Sequence, residues 1–171
     1  MESRSNFARV DLTRLAREMA EQFASRAEQT ERDFRLNILD ETLPVNGNED
    51  QFRQVLINLL ENALKFTPKD GSISVGLERA GNEIKLTVAD TGIGFPPEDL
   101  PHVFKRFHHG RNVSGYPGNG LGLVIVKAII TAHGGTVAVQ SQPLKGTSIT
   151  ITVPALQNAE MNFRDSSLRS E

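Results

Sequence analysis

Cysteine is absent from the 171-residue sequence, which excludes disulfide bonds, thiolate zinc sites and cysteine nucleophiles. An excess of positive charge is also absent, because 21 aspartates and glutamates balance 19 lysines and arginines for a formal net charge of −2. That balance argues against a nucleic-acid ligand or an anionic membrane surface. No apolar run approaches the roughly 20 residues of a transmembrane helix, and the first residues lack the pattern of a signal peptide. The length suffices for one domain with a core.

The most regular stretch of the sequence runs from Asp50 to Pro68 and predicts an amphipathic helix that ends before the proline. Asn58, Asn62 and Lys65 recur at i, i+4 and i+7, so they line one flank of this helix. Two amides and an ammonium on one flank indicate either the wall of a polar pocket or an ordinary solvated flank. The apolar residues have the spacing of a single helical face: Phe52, Val55, Leu56, Leu59, Leu60, Ala63 and Leu64.

Two further helices are predicted, one on each side of this stretch in the sequence. The first starts after Asp11 as N-cap and runs to about Gln29. The last starts near Leu121 and ends at Gly134-Gly135, which is a C-cap signal. The apolar face of the first is Leu12, Leu15, Ala16, Met19, Phe23 and Ala27, and that of the last is Leu121, Val124, Ile125, Ala128, Ile129 and Ala132.

Alternating apolar and polar residues predict four or five strands. They lie near residues 34–38, in a hairpin over 73–88, and near 137–139 and 149–153, while 43–48 form a loop with at most a short edge strand. Helices on one face of a mostly antiparallel mixed sheet would cover all the apolar faces. The sequence therefore predicts an α+β fold, a two-layer α/β sandwich.

We expect the core to lie between the helices and the sheet, with Leu56, Leu60, Val124 and Ile125 among its residues. The predicted organisation is a residual linker over residues 1–10, one domain over 11–154 and a flexible tail over 155–171.

Asp90 ends the second strand of the hairpin with the same parity as the apolar residues before it. If the strand extends to Asp90, the Asp90 carboxylate points toward the apolar face of the sheet. Burial of this charge is costly unless a hydrogen-bond donor reaches it. An ordinary turn aspartate is the other interpretation. The residues that follow, 91–120, are rich in glycine and lack a regular pattern. We expect residues 96–119 to form a lid that is mobile without ligand.

Four segments carry a resemblance when they are taken in order: Asn58 to Lys65, Asp90 to Gly94, Phe104 to Phe107 and Gly118 to Gly122. They resemble the N, G1, F and G2 boxes of the catalytic, ATP-binding domain of sensor histidine kinases. That domain belongs to the superfamily shared by gyrase, Hsp90, histidine kinases and MutL. Each segment alone is a weak signal, but the ordered set covers about residues 10 to 154. The family fold is the Bergerat-type sandwich, which agrees with the fold predicted above.

The resemblance implies roles at the base end of a nucleotide site. Asp90 would accept a hydrogen bond from the exocyclic amino group of adenine, which favours adenine over guanine. Gly92 and Gly94 would let the backbone approach the ring closely. Thr147 shares the inward parity of Ile149 and would reach the same pocket, although it is also consistent with an ordinary strand-start threonine.

The resemblance also implies roles at the phosphate end, where Asn58, Asn62 and Lys65 would be the catalytic residues. Asn62 would bind Mg²⁺ directly and Asn58 would hold a metal-bound water, while Lys65 would meet phosphate as a point charge. Free backbone N–H groups at the start of the last helix would bind phosphate. The residues expected to contact phosphate through that helix start or from the loop before it are Lys105, Arg106, His108, Gly118, Gly120, Leu121 and Gly122.

Two departures from the family pattern refine the expected activity. Hydrolases of the superfamily carry a glutamate four residues before the magnesium asparagine, where this chain has Asn58, and Glu61 is out of phase with that position. No histidine lies in a helical hairpin of the phosphoacceptor type, and His133 is expected to be structural. We therefore expect transfer of the γ-phosphate of ATP to a histidine on a separate domain of the parent kinase, with a response regulator downstream. The expected location of this chain is cytoplasmic, in a parent of a class that is often membrane-anchored. The alternatives are an ATP hydrolase and a non-catalytic nucleotide-binding module.

Overall fold

The computed structural model describes residues 6–104 and 122–156, and within these ranges it contains three α-helices, seven strands and one short 3₁₀ segment, Pro97–His102. The helices are α1 (Leu12–Gln29), α2 (Glu49–Phe66) and α3 (Gly122–Ala132). The strands are β1 (Ala8–Asp11), β2 (Asp33–Ile38), β3 (Pro44–Gly47), β4 (Ser72–Ala80), β5 (Glu83–Asp90), β6 (Thr136–Gln142) and β7 (Gly146–Pro154).

Five strands form one mixed sheet in the order β2-β4-β5-β7-β6. Strand β2 runs parallel to β4, and the other neighbours are antiparallel. One face is apolar and buried, as Val75, Val88 and Ile149 illustrate in one row across the sheet. The helices cover this face, so the predicted two-layer sandwich and its α+β class are confirmed.

Helices α1 and α2 begin where a capping side chain satisfies a free backbone donor. The Asp11 carboxylate accepts a hydrogen bond from Arg14 N at 3.1 Å, and the Asn48 amide oxygen accepts one from Gln51 N at 3.0 Å. Helix α2 therefore starts one residue before Asp50. All seven apolar residues predicted for its inner face are buried, so this part of the prediction is confirmed.

Helix α3 is present, but the prediction of its buried face is wrong. Its fully buried residues are Leu123, Val126 and Ile130, whereas Ile125 is 39% exposed and Val124 is only half-buried. The cause is composition: apolar residues occur nearly all round this helix, so spacing alone does not single out one face. The core position assigned to Val124 and Ile125 is accordingly filled by Leu123 and Val126.

The first described residues are structured more than expected. Residues 8–10, predicted as linker, belong to β1, which pairs antiparallel with β3 and thereby makes the short edge strand at residues 44–47. Val10 of β1 is buried, at 2% exposure. The described part of the domain therefore begins before Asp11.

His133 joins three parts of the fold just beyond the end of α3, as its predicted structural role requires. It is buried, its Nδ1 lies 2.8 Å from Ile129 O, and its Nε2 accepts a hydrogen bond from Asn48 N at 3.1 Å. The first contact assigns the proton to Nδ1, because a carbonyl oxygen only accepts. The imidazole also stacks on Phe7 at 4.4 Å between ring centroids.

Candidate functional site

Asp90 lies at the inward-facing end of β5, as predicted. Its Oδ1 accepts a hydrogen bond from Gly92 N at 2.8 Å. Burial raises the pKa of the Asp90 carboxyl from 3.8 to about 6, and hydrogen bonds from the backbone N–H groups of Gly92 and Thr147 oppose that rise. Because the pKa stays high, these donors do not fully compensate the buried charge. A ligand that donates a further hydrogen bond would stabilise the ionised form.

The glycines after Asp90 are required by close backbone packing. A Cβ added at Gly92 would lie 2.2 Å from Phe66 O, and one added at Gly94 would lie 2.0 Å from Gln142 O. Gly94 also has a φ of 68°, in the left-handed region that favours glycine. The loop therefore lies tightly between the end of α2 and the turn between β6 and β7.

Thr147 pairs with Asp90 across β7 and β5, and it is buried at 7% exposure. Two neighbours of this pair were missed by the sequence analysis. Ser141 of β6 has its Oγ 2.9 Å from Thr147 Oγ1 and accepts a hydrogen bond from Phe95 N at 2.7 Å. Gly146 has a φ of 125°, and a Cβ there would lie 2.0 Å from Asp90 O. For Gly146, its position directly before Thr147 in the sequence was the available signal, whereas nothing in the sequence distinguished Ser141.

The predicted flank of α2 is half-buried at Asn58, Asn62 and Lys65. The Asn58 amide donates from Nδ2 to Gly122 O at 3.2 Å and accepts at Oδ1 from Gln54 Nε2 at 2.7 Å. The structure thus brings the middle of α2 to the first residue of α3. Asn62 follows one turn later, and its side chain makes no hydrogen bond within residues 6–104 and 122–156.

Lys65 lies at the end of this flank, with its Nζ 5.5 Å from the centroid of the Phe66 ring. It also lines a surface cavity of about 300 Å³ together with Arg26, Arg32 and Glu61. Its side chain is therefore placed between the polar flank and the α1 side of the helix.

Glu61 faces a different neighbour from Asn58. Its carboxylate makes two hydrogen bonds to the Arg26 guanidinium of α1, at 3.1 and 3.3 Å, whereas Asn58 contacts the start of α3. The expectation that Glu61 is out of phase with the position of Asn58 is confirmed. In the described part of the chain, the side chain of α2 that hydrogen-bonds Gly122 is the Asn58 amide, not a carboxylate.

Comparison with known proteins fits this geometry. A sequence profile of the histidine kinase-, DNA gyrase B- and HSP90-like ATPases matches residues 47–157. The chain belongs to this family. The adaptive-response sensory kinase SasA of Microcystis aeruginosa is 35% identical over 144 residues, which cover 84% of this chain and 38% of that protein.

Solved structures place the chain among the histidine kinases of this family. The catalytic domain of histidine kinase ThkA matches with a TM-score of 0.76 and 28% identity, over 90% of this chain and 98% of that one. Full-length ShkA in complex with AMPPNP matches with a TM-score of 0.76 and 29% identity, over 88% of this chain and 31% of that one. The fold is that of the ATP-binding catalytic domain of a histidine kinase. The chain spans less than two-fifths of the length of SasA.

Several family positions lie outside the described residues: Lys105, Arg106, His108, Gly118, Gly120 and Leu121. The same holds for most of the predicted lid. Its described beginning contains the 3₁₀ segment Pro97–His102, followed by buried Val103. Phe104 is half-buried, with Lys127 Nζ of α3 lying 5.5 Å from its ring centroid.

Within residues 6–104 and 122–156 there is no group of three or more histidine, cysteine or acidic side chains placed to hold a metal ion. None of the helices in these two ranges is long and apolar enough to cross a membrane.

Proposed function

We propose that this chain is the catalytic domain of a two-component sensor histidine kinase, which binds Mg·ATP and donates the γ-phosphoryl group to a histidine on a separate helical-hairpin domain. The observation that carries the proposal is that Asn58 and Glu61 of α2 face different neighbours. Asn58, which has no titratable group, faces the start of α3, while Glu61 is paired with Arg26 on the other side. The site thus lacks a general base at the position where a hydrolase would need one.

At the base end, Asp90 would accept a hydrogen bond from the adenine amino group. The incompletely compensated, buried carboxylate supports this role, because an amino donor relieves the cost of its charge. Guanine presents a carbonyl at the same place and would be repelled. Thr147, opposite Asp90 on β7, lines the same end of the site.

At the phosphate end, Asn62 would hold Mg²⁺ directly and Asn58 would hold it through water. An amide oxygen is a hard, neutral ligand, and the Asn62 amide is not engaged by another described residue, so the residues fit the ion. When bound, Mg²⁺ neutralises charge on the phosphate oxygens. Lys65 and the backbone at Gly122 would contact the phosphates, together with the positions outside the described residues: Lys105, Arg106, His108, Gly118, Gly120 and Leu121.

The chemistry that remains for the protein is positioning. In transfer, a bond forms between a histidine nitrogen and the γ-phosphorus while the bond to the bridging oxygen of ADP breaks. An imidazole nitrogen attacks with its own lone pair, whereas water needs proton removal, which a general base typically accelerates by about 10²–10⁴-fold. Asn58 cannot accept that proton. The proposal extends to a cytoplasmic location, a membrane-anchored parent and a response regulator as downstream partner.

Radiolabelled ATP tests this function. The chain alone is expected to bind Mg·ATP, release phosphate very slowly and remain unlabelled. Addition of the parent's phosphoacceptor domain should produce a labelled histidine on that domain, and Asn62→Ala should abolish or strongly reduce the labelling. Glu61→Gln, whose carboxylate pairs with Arg26 of α1, is the matched control on the same helix and should label normally. Rapid phosphate release by the chain alone would indicate a hydrolase instead.

A further inference from the structure

Ser141 is the residue near the base end that neither its sequence context nor the proposed contacts explain. It pairs with Thr147 across β6 and β7, and Thr147 pairs in turn with Asp90 of β5. Directly opposed residues on neighbouring strands project to the same face of a sheet. Ser141, Thr147 and Asp90 therefore form one row of polar side chains at the end of the sheet that carries the G1 loop.

The Ser141 hydroxyl has three polar neighbours. It accepts a hydrogen bond from Phe95 N at 2.7 Å, it lies 3.1 Å from Gly146 O, and it lies 2.9 Å from Thr147 Oγ1. A serine hydroxyl offers one proton and two lone pairs. One lone pair is already used, because a backbone N–H can only donate.

A single arrangement of protons satisfies all three contacts. Gly146 O can only accept, so it takes the Ser141 proton. The remaining Ser141 lone pair must then accept from Thr147, which uses the one proton of the Thr147 hydroxyl. In the opposite arrangement, with Ser141 donating to Thr147, two oxygen acceptors would face each other 3.1 Å apart without a proton between them.

We infer that Ser141 is a positioning residue that orients the Thr147 hydroxyl so that it accepts, and does not donate, hydrogen bonds in the base pocket. Asp90 and Thr147 then present acceptors only. They favour a purine whose substituent at position 6 is a hydrogen-bond donor, as the amino group of adenine is, over one that carries a carbonyl there. The inference rests on the proposed function, because it extends the specificity of the same site.

The test compares ATP with ITP, whose base carries a carbonyl where adenine carries the amino group. The preference of each variant for ATP over ITP is measured by calorimetric titration with Mg²⁺ present. In Ser141→Ala the Thr147 proton is released to face the carbonyl, so the preference should fall about three- to tenfold, the range of one neutral hydrogen bond. Ser148→Ala removes a serine hydroxyl from the opposite face of β7 and should leave the preference unchanged.

Two further variants keep the test decisive. Ser141→Cys preserves the shape of the side chain with a weaker donor and acceptor, and it should also lower the preference. In a Thr147→Val background, Ser141→Ala should cause no further fall, because the oriented hydroxyl is already gone.

An unchanged ATP-to-ITP preference in Ser141→Ala and Ser141→Cys, even with weaker binding of both nucleotides, would show a purely structural role and overturn the inference. If the unmodified chain binds neither nucleotide, the proposed function fails and this inference fails with it.

Discussion

The two ends of the site are built differently. At the base end, Asp90, Thr147 and Ser141 are fixed by strand register and by hydrogen bonds to backbone groups of Gly92, Phe95 and Gly146. At the phosphate end, Asn58, Asn62 and Lys65 stand on one half-buried flank of a helix. Only Asn58 among these three hydrogen-bonds through its side chain within the described residues.

This difference assigns separate tasks to the two ends. Groups held by the backbone are pre-organised, so the base end can select a ligand by shape and donor pattern without a rearrangement of its own side chains. Under the proposed function, side chains with few internal partners would gain them from the ligand, so the phosphate end would depend on nucleotide and metal for its final arrangement. Substitutions at the base end should therefore cost stability or specificity, whereas those at the phosphate end should cost chemistry.

The largest effect on stability is expected at Gly146. Gly146→Ala would place a methyl group 2.0 Å from Asp90 O at a φ of 125°, which L-residues rarely adopt. We expect a loss of about 2–4 kcal/mol in the free energy of unfolding, measured with urea. Gly76→Ala in β4 is the control, because the nearest atom to its added Cβ is 4.0 Å away, and it should change stability by less than about 1 kcal/mol. Equal effects of the two variants would contradict a rigid base end.

Asp90→Asn removes the charged acceptor from the base end. ATP affinity should fall by about 1.5–3 kcal/mol, the range for a hydrogen bond to a charged group, while the fold survives. Calorimetric titration measures the change, with the exposed Asp70→Asn as control. Unchanged ATP affinity in Asp90→Asn would refute the contact with the base.

A smaller effect is expected from pH. Burial raises the pKa of Asp90 from 3.8 to about 6, so the folded protein holds this proton more tightly than the unfolded chain does. The stability gained from protonated Asp90 is complete below its unfolded pKa and is lost as pH rises through about 6. Nucleotide binding should have the opposite dependence, because the proposed amino donor needs the ionised carboxylate.

ATP affinity should therefore fall as pH drops below about 6, by at most about tenfold per pH unit. The ratio of wild-type to Asp90→Asn affinity removes the titration of the nucleotide itself. A ratio that stays constant between pH 7 and pH 5 (about one unit either side of this pKa) would contradict the role of Asp90 as a charged acceptor.

The smallest effect is expected from Glu61→Gln. The Glu61–Arg26 pair is about half exposed on both sides, so its loss should cost at most about 1 kcal/mol of stability. Phosphate release should not change, because Glu61 faces α1. A marked fall in release would instead identify Glu61 as a base.

A feature of the fold or of the site could be predicted from the sequence where neighbouring residues in the chain determine it. Helix α2 separates apolar from polar residues cleanly, so its seven buried positions and its polar flank were predicted correctly. Helix α3 is apolar nearly all round, and its buried face follows from packing against the sheet and α2. The role proposed for Ser141 depends on the contact with Phe95, which lies 46 residues earlier in the chain and is therefore non-local, although β6 and β7 themselves form a hairpin.

Titration of ATP with and without Mg²⁺ tests the separation of the two ends most directly. In the wild-type chain Mg²⁺ should strengthen ATP binding. Asn62→Ala should lose that increment and keep the metal-free affinity and the preference for ATP over ITP, whereas Asp90→Asn should lower both affinities and keep the increment. If each variant lowers metal-free binding and the Mg²⁺ increment alike, the two ends are not separate and the account is wrong.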